Sequence, residues 1–169
     1  MDNNASGGKR GKNRPYLIYL QQKSALTKPR YDVFRDSMNA IYDIEGDMGR
    51  HTFSVRRDGS EVLVLRKKFA KLLPEYTIEK DGKQIASVKK GMLSSGYSGT
   101  ADDKSVELRV GYEAESFDIL VGRKKLCRIE KKKYGLNDRY EIMMFDGENE
   151  ELAVALSVIC DHISDKAEG

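Results

Sequence analysis

Apolar and polar residues alternate with period two along most of this chain, and the alternation recurs as a phrase. "FSVRRDGSEVLVLRKK" runs from Phe53 to Lys68, "YTIEKDGKQIASVKK" from Tyr76 to Lys90, and "FDILVGRKKLCRIEKK" from Phe117 to Lys132. Each opens aromatic-x-Val/Ile, passes a Gly-containing turn, resumes the alternation and ends in Lys-Lys. The opening returns as "YDV" at Tyr31 and "YEI" at Tyr140, with a degenerate "YSG" at Tyr97. The six starts lie 20 to 23 residues apart.

The pattern predicts one β-hairpin per unit. Aromatic-x-Val sets two β-favouring side chains on one face, because side chains alternate along a strand. Asp58-Gly59 and Asp81-Gly82 fall where tight turns need positive φ, which Gly supplies without steric cost. With "YLIYLQQK" from Tyr16, about twelve antiparallel strands follow, near residues 16–21, 31–35, 40–45, 51–57, 61–67, 75–80, 83–90, 96–101, 104–110, 115–121, 124–132 and 138–145.

Asp146-Gly147 breaks the rhythm. The next stretch, "ELAVALSVICDHI" from Glu151 to Ile163, has only Ser157 as a polar residue between Leu152 and Cys160. A helix that is apolar on every side is buried on every side. Glu148, Glu150 and Glu151 at its start complement the helix dipole. Eight strands make a barrel filled by its own side chains, whereas a longer closed meander leaves a lumen that a helix can occupy. A helix of about 15 residues is about 22 Å long, a fair match to tilted strands of this length. The expected fold is mainly β: a closed antiparallel barrel of about twelve strands around a hydrophobic C-terminal helix. Residues 15–164 form that single domain, between a basic tail at 1–14 and a short C-terminal tail at 165–169.

The order of these motifs resembles the LURP-one-related family of the tubby-like superfamily over roughly residues 15–164. The resemblance implies a twelve-stranded barrel around a central helix, an architecture it also extends to phospholipid scramblases. Tubby domains bind phosphoinositides through basic surface residues, but no tubby lysine-arginine motif matches a position here. The membrane-spanning end helix of scramblases is not matched either: Asp161, His162 and Asp165 interrupt the apolar run well short of the ~20 residues a span needs.

Net charge is +3, and the first fifteen residues, with Lys9, Arg10, Lys12 and Arg14 against Asp2, supply all of it. A balanced body argues against a nucleic-acid-binding domain, which has a net basic footprint. The tail itself offers at most a weak, salt-sensitive grip on a polyanion. Cys127 and Cys160 sit in apolar runs and read as buried, unpaired thiols. No apolar leader precedes Tyr16, so a cytoplasmic protein is expected, peripheral to a membrane if it binds lipid.

Candidate chemistry is sparse. His51 and His162 lack the spacing of zinc ligands, and no nucleophile elbow, P-loop or dinucleotide fingerprint is present. A non-enzyme without cofactor or metal is expected, with a small-ligand enzyme at a barrel mouth as a distant alternative. The recurring aromatics read as a packing layer between wall and helix, whose Tyr hydroxyls need partners. Arg56 and Arg57 point to opposite faces of one strand, so at most one joins Arg50 on an outer patch. Lys67, Lys68, Lys89, Lys90, Lys131 and Lys132 end successive return strands. On one rim they would offer a patch for anionic headgroups. The competing reading is that they solubilise strand ends and discourage edge pairing, with Glu61, Glu79 and Glu130 near enough to neutralise them. The expected function is therefore a non-catalytic binding or scaffold domain for a protein partner, or alternatively a tether to anionic phospholipid.

Overall fold

The structure, a computed structural model, describes residues 14–23, 27–36, 39–68, 72–134 and 137–168. Lys9, Arg10 and Lys12 of the basic tail lie outside the described residues. Six strands run one way: β1 (Tyr16–Lys23), β3 (Ala40–Gly46), β5 (Ser60–Lys67), β7 (Lys83–Lys90), β9 (Lys104–Val110) and β11 (Lys124–Tyr134). Six return: β2 (Arg30–Phe34), β4 (Thr52–Arg57), β6 (Glu75–Lys80), β8 (Tyr97–Ala101), β10 (Ser116–Val121) and β12 (Asn137–Met144). Each pairs antiparallel with its sequence neighbours, and β1 pairs with β12 to close the barrel. The helix α1 (Glu150–Glu168) then enters the lumen beside Tyr16 and runs to the opposite mouth. The two ends are called the entry and exit mouths below.

The repeat has a geometric meaning. In β2, β4, β6 and β10 the pairing register slips directly after the Val or Ile of the unit, at Val33/Phe34, Val55/Arg56, Ile78/Glu79 and Ile119/Leu120. A bulge adds twist and bends a strand, so the same bend recurs around the wall, as closure requires. The tight turns follow, with Asp58-Gly59 at φ +51° and +78° and Asp81-Gly82 at +51° and +76°. The degenerate unit is explained by contact: a Cβ on Gly99 would lie 1.8 Å from the carbonyl oxygen of Ser87 on β7.

The unit aromatics Tyr31, Phe53, Tyr76, Tyr97, Phe117 and Tyr140 start the returning strands and all point inward, none more than 5% exposed. They form a girdle around the exit half of α1. From Ala153 to Asp161 the helix is fully buried, and Ser157 returns its hydroxyl to the Val154 carbonyl at 2.6 Å. Cys127 and Cys160 are buried and free. Burial pushes both thiols up, which makes them unreactive.

An apolar rod in an apolar sleeve has little to fix its depth, and a carboxylate at each end supplies the missing specificity. At the entry, Glu150 accepts hydrogen bonds from the Tyr16 and Tyr42 hydroxyls and from Arg35. Eleven positions on in sequence, at the exit, Asp161 accepts from Tyr31 at 2.6 Å and Tyr140 at 2.7 Å. Asp161, one of the residues that interrupt the apolar run, thus satisfies two of the girdle's hydroxyls. His162 does the same for Tyr76, at 3.2 Å from Nδ1. Residues 165–168, expected as a tail, are instead the last helical turn, where Lys166 suits the negative end of the dipole.

Candidate membrane-facing surface

Meander topology decides which side chains share a mouth. Every odd-numbered strand ends at the exit, so the Lys-Lys endings of β5, β7 and β11 are all on that rim. They do not make one patch. Five strands lie between β5 and β11 in either direction round the barrel, which sets Lys131 and Lys132 across the mouth from Lys67 and Lys68.

Lys131 also points the wrong way for a surface ligand. Cys127 and Ile129 face the lumen, and Lys131 follows them by the same alternation; its side chain is 1% exposed. Its ammonium donates to the Ser164 hydroxyl at 2.9 Å and lies 3.4 Å from Asp138. This internal cation sits beside the acidic group formed by Asp138, Asp161 and Asp165. Burial raises the Asp161 carboxyl, an effect that its two tyrosine donors and Lys131 oppose. Lys132 faces outward and pairs with Glu130 at 3.3 Å.

The other four lysines lie on the opposite arc. Lys68 pairs with Glu75 at 3.0 Å. Among the described residues, Lys67, Lys89 and Lys90 have no acidic partner. Lys67 is half-buried, and desolvation together with the charge of Lys166 lowers its pKa. The same surroundings act on His162: burial first, then Lys67, Arg50 and Lys166, bring its pKa down to about 4. Arg50 stands on this mouth's β3–β4 connection, whereas Arg56 pairs with Asp43 and Arg57 stacks over Tyr42 at the entry. No phosphate-binding trio therefore forms.

What distinguishes this arc is apolar, not basic. The large hydrophobic side chains that stand exposed among the described residues are Met48, Leu72, Met92, Leu93 and Tyr112. They belong to four successive connections at the exit mouth: β3–β4, β5–β6, β7–β8 and β9–β10. Sequence reasoning missed them because it followed the strands. A signal was present: "LLPE" at 72–75 and "GMLSSG" at 91–96 place large apolar residues in connections, where no strand alternation calls for them. Of these, Met92 and Leu93 line one groove, and large apolar side chains gathered at one end of a barrel are a candidate interaction surface.

The entry mouth holds a polar depression of about 350 Å³ lined by Tyr16, Arg35, Tyr42, Arg57, Lys80 and the acidic start of α1. Its acids are held: Glu150 as above, and Glu151 by Lys80 at 3.2 Å. No helix among the described residues is long and apolar enough to cross a membrane.

The family model of the LURP-one-related proteins matches residues 17–161, which spans β1 through most of α1, and the chain belongs to that family. Comparison with curated proteins and with solved structures gives no match.

Proposed function

We propose that this LURP-one-related barrel is a non-catalytic binding domain that docks on an acidic phospholipid surface through the apolar arc of its exit mouth. One observation carries the reading. The exposed apolar side chains gather on the connections of one mouth, along the arc that also holds Lys67, Lys89, Lys90 and Lys166.

Magnitudes explain why both ingredients matter. A basic residue near an anionic surface contributes about 1 kcal/mol, so four lysines give only a weak, salt-sensitive hold. Fully burying a Leu or Met side chain contributes about 1.5–3 kcal/mol. Even partial insertion of Leu72, Met92 and Leu93 therefore turns an encounter into residence. A membrane-inserting protein needs no spanning helix for this, and α1 is already used as core. The polar entry depression favours catalysis less, since its carboxylates are tied into helix anchoring.

Co-sedimentation with vesicles tests the proposal. Binding is expected to vesicles containing acidic lipid, to weaken as salt rises, and to drop at least tenfold for Leu72→Asp/Leu93→Asp. No acidic-lipid dependence at low salt would overturn it and return the arc to a protein partner. Binding unaffected by the double substitution would place the contact elsewhere on the barrel.

A further inference from the structure

Within the exit mouth, α1 stops short of filling the space it points into. Between its last turn, the 91–96 connection and the turn at 112–114 lies an open groove of about 920 Å³. That is within the roughly 300–1,000 Å³ of small-molecule sites. Its inner lining is apolar, with Tyr97 and Ala114 buried and Val110 and Ile163 half-buried. Met92 and Leu93 line it from outside. Two cations, Lys90 and Lys166, share the lining with a single acid, Glu113. Among the described residues neither lysine has an acidic partner; Lys90 reaches only the Ser94 carbonyl, at 3.5 Å.

These two features select one ligand chemistry. A polar ligand would leave the apolar lining unused, and a neutral hydrocarbon would leave the two ammonium groups without a counter-charge. We infer that the groove binds a single-chain anionic amphiphile, its alkyl chain on Val110, Ala114 and Ile163 and its anionic head at Lys90 and Lys166. This goes beyond the membrane reading and does not depend on it, because a monomeric amphiphile meets the groove without any bilayer.

The test is titration of the full chain with octanoate, decanoate and dodecanoate below their micelle concentrations, without vesicles, followed by calorimetry and by amide chemical shifts. Saturable one-to-one binding is expected, tightening about fourfold per added methylene, with shifts centred on Val110, Ala114 and Ile163. Dodecanol should bind more weakly than dodecanoate. Ala167→Trp, an exposed position on the groove wall, should cost at least tenfold by filling the space, and Lys90→Glu/Lys166→Glu should remove the preference for the anion. Leu72→Asp, outside the lining, should leave monomer binding unchanged while weakening vesicle binding. Each variant is checked for an unchanged melting temperature. Affinity independent of chain length, equal binding of the alcohol, shifts clustered elsewhere, or a stable dimer covering the groove would overturn the inference. Monomer binding without vesicle binding would leave this site standing and remove the membrane proposal; the reverse result would do the opposite.

Discussion

The two mouths of the barrel close around the same helix by different means. At the entry the strands are joined by two-residue turns such as Asp58-Gly59, Asp81-Gly82 and Gly122-Arg123, and the start of α1 is fastened by Glu150. At the exit the connections run over residues 47–51, 68–74, 91–96 and 111–115, and they carry large apolar side chains into solvent. Lysine does not separate the two. Lys83, Lys104 and Lys124 stand exposed on the entry turns, beside Asp81, Asp102 and Asp103. Exposed large apolar side chains do: among the described residues they occur at the exit alone. A basic strand end is an ordinary feature of a soluble sheet, so charge by itself is a poor marker of a binding face. An apolar residue in a long connection costs solubility and needs another reason.

The comparison breaks most completely if α1 is not the shared core of both mouths. Val154→Asp places an unpaired charge in the fully buried stretch of α1, and should abolish cooperative unfolding altogether; a folded variant with an unchanged melting temperature by circular dichroism would mean the helix is not enclosed. The next largest effect is expected at the exit anchor. Asp161→Ala strands two buried tyrosine hydroxyls and takes a carboxylate from near Lys131, for a loss of about 3–5 kcal/mol in chemical denaturation.

The exit should also be the pH-sensitive mouth. Folded His162 has a pKa of about 4, against about 6.5 in an unfolded chain. Between those values the unfolded chain takes up a proton that the folded protein refuses, so stability falls as pH drops through the window, by roughly 3 kcal/mol at most. The raised Asp161 carboxyl acts in the opposite sense, because in its own window the folded protein is the better proton acceptor. His162→Gln should therefore flatten the fall seen in melting temperature between pH 6.5 and 4; an unchanged slope would assign it to other groups. Smaller still is the entry anchor. Glu150→Gln leaves one acceptor oxygen where Tyr16 and Tyr42 each use one of the two, and loses the charge that faces Arg35, so about 1–2 kcal/mol is expected; a loss equal to that of Asp161→Ala would erase the asymmetry. Least of all is Leu93→Asp, fully exposed, whose melting curve should stay within about 0.5 kcal/mol of the parent while vesicle binding falls. A marked loss of stability there would show the connection to be part of the core.

Much of the fold was legible before the structure. Aromatic-x-Val/Ile and Asp-Gly marked strands and turns because both depend on neighbours within a few residues, and Ser157 standing alone from Leu152 to Cys160 marked a buried helix. Lys131 was legible too, since Cys127, Ile129 and Lys131 share one face, but its Lys-Lys setting drew it into the surface set. The partners of Tyr31, Tyr76 and Tyr140 were expected to exist and were not identifiable. Tyr31 and Asp161 are 130 residues apart, and nothing in either segment points to the other.

The linear pattern of this protein therefore determined its elements, its closed wall and the helix that fills it, because period, turn chemistry and apolar continuity act locally and admit few global solutions. The tertiary structure alone decided the mouths: which lysines face a common arc, which one is buried with Asp138 and Ser164, and where Met92 and Leu93 share a groove with the end of α1. Those neighbours come from distant strands, and only closure of the barrel sets them at one end of the molecule.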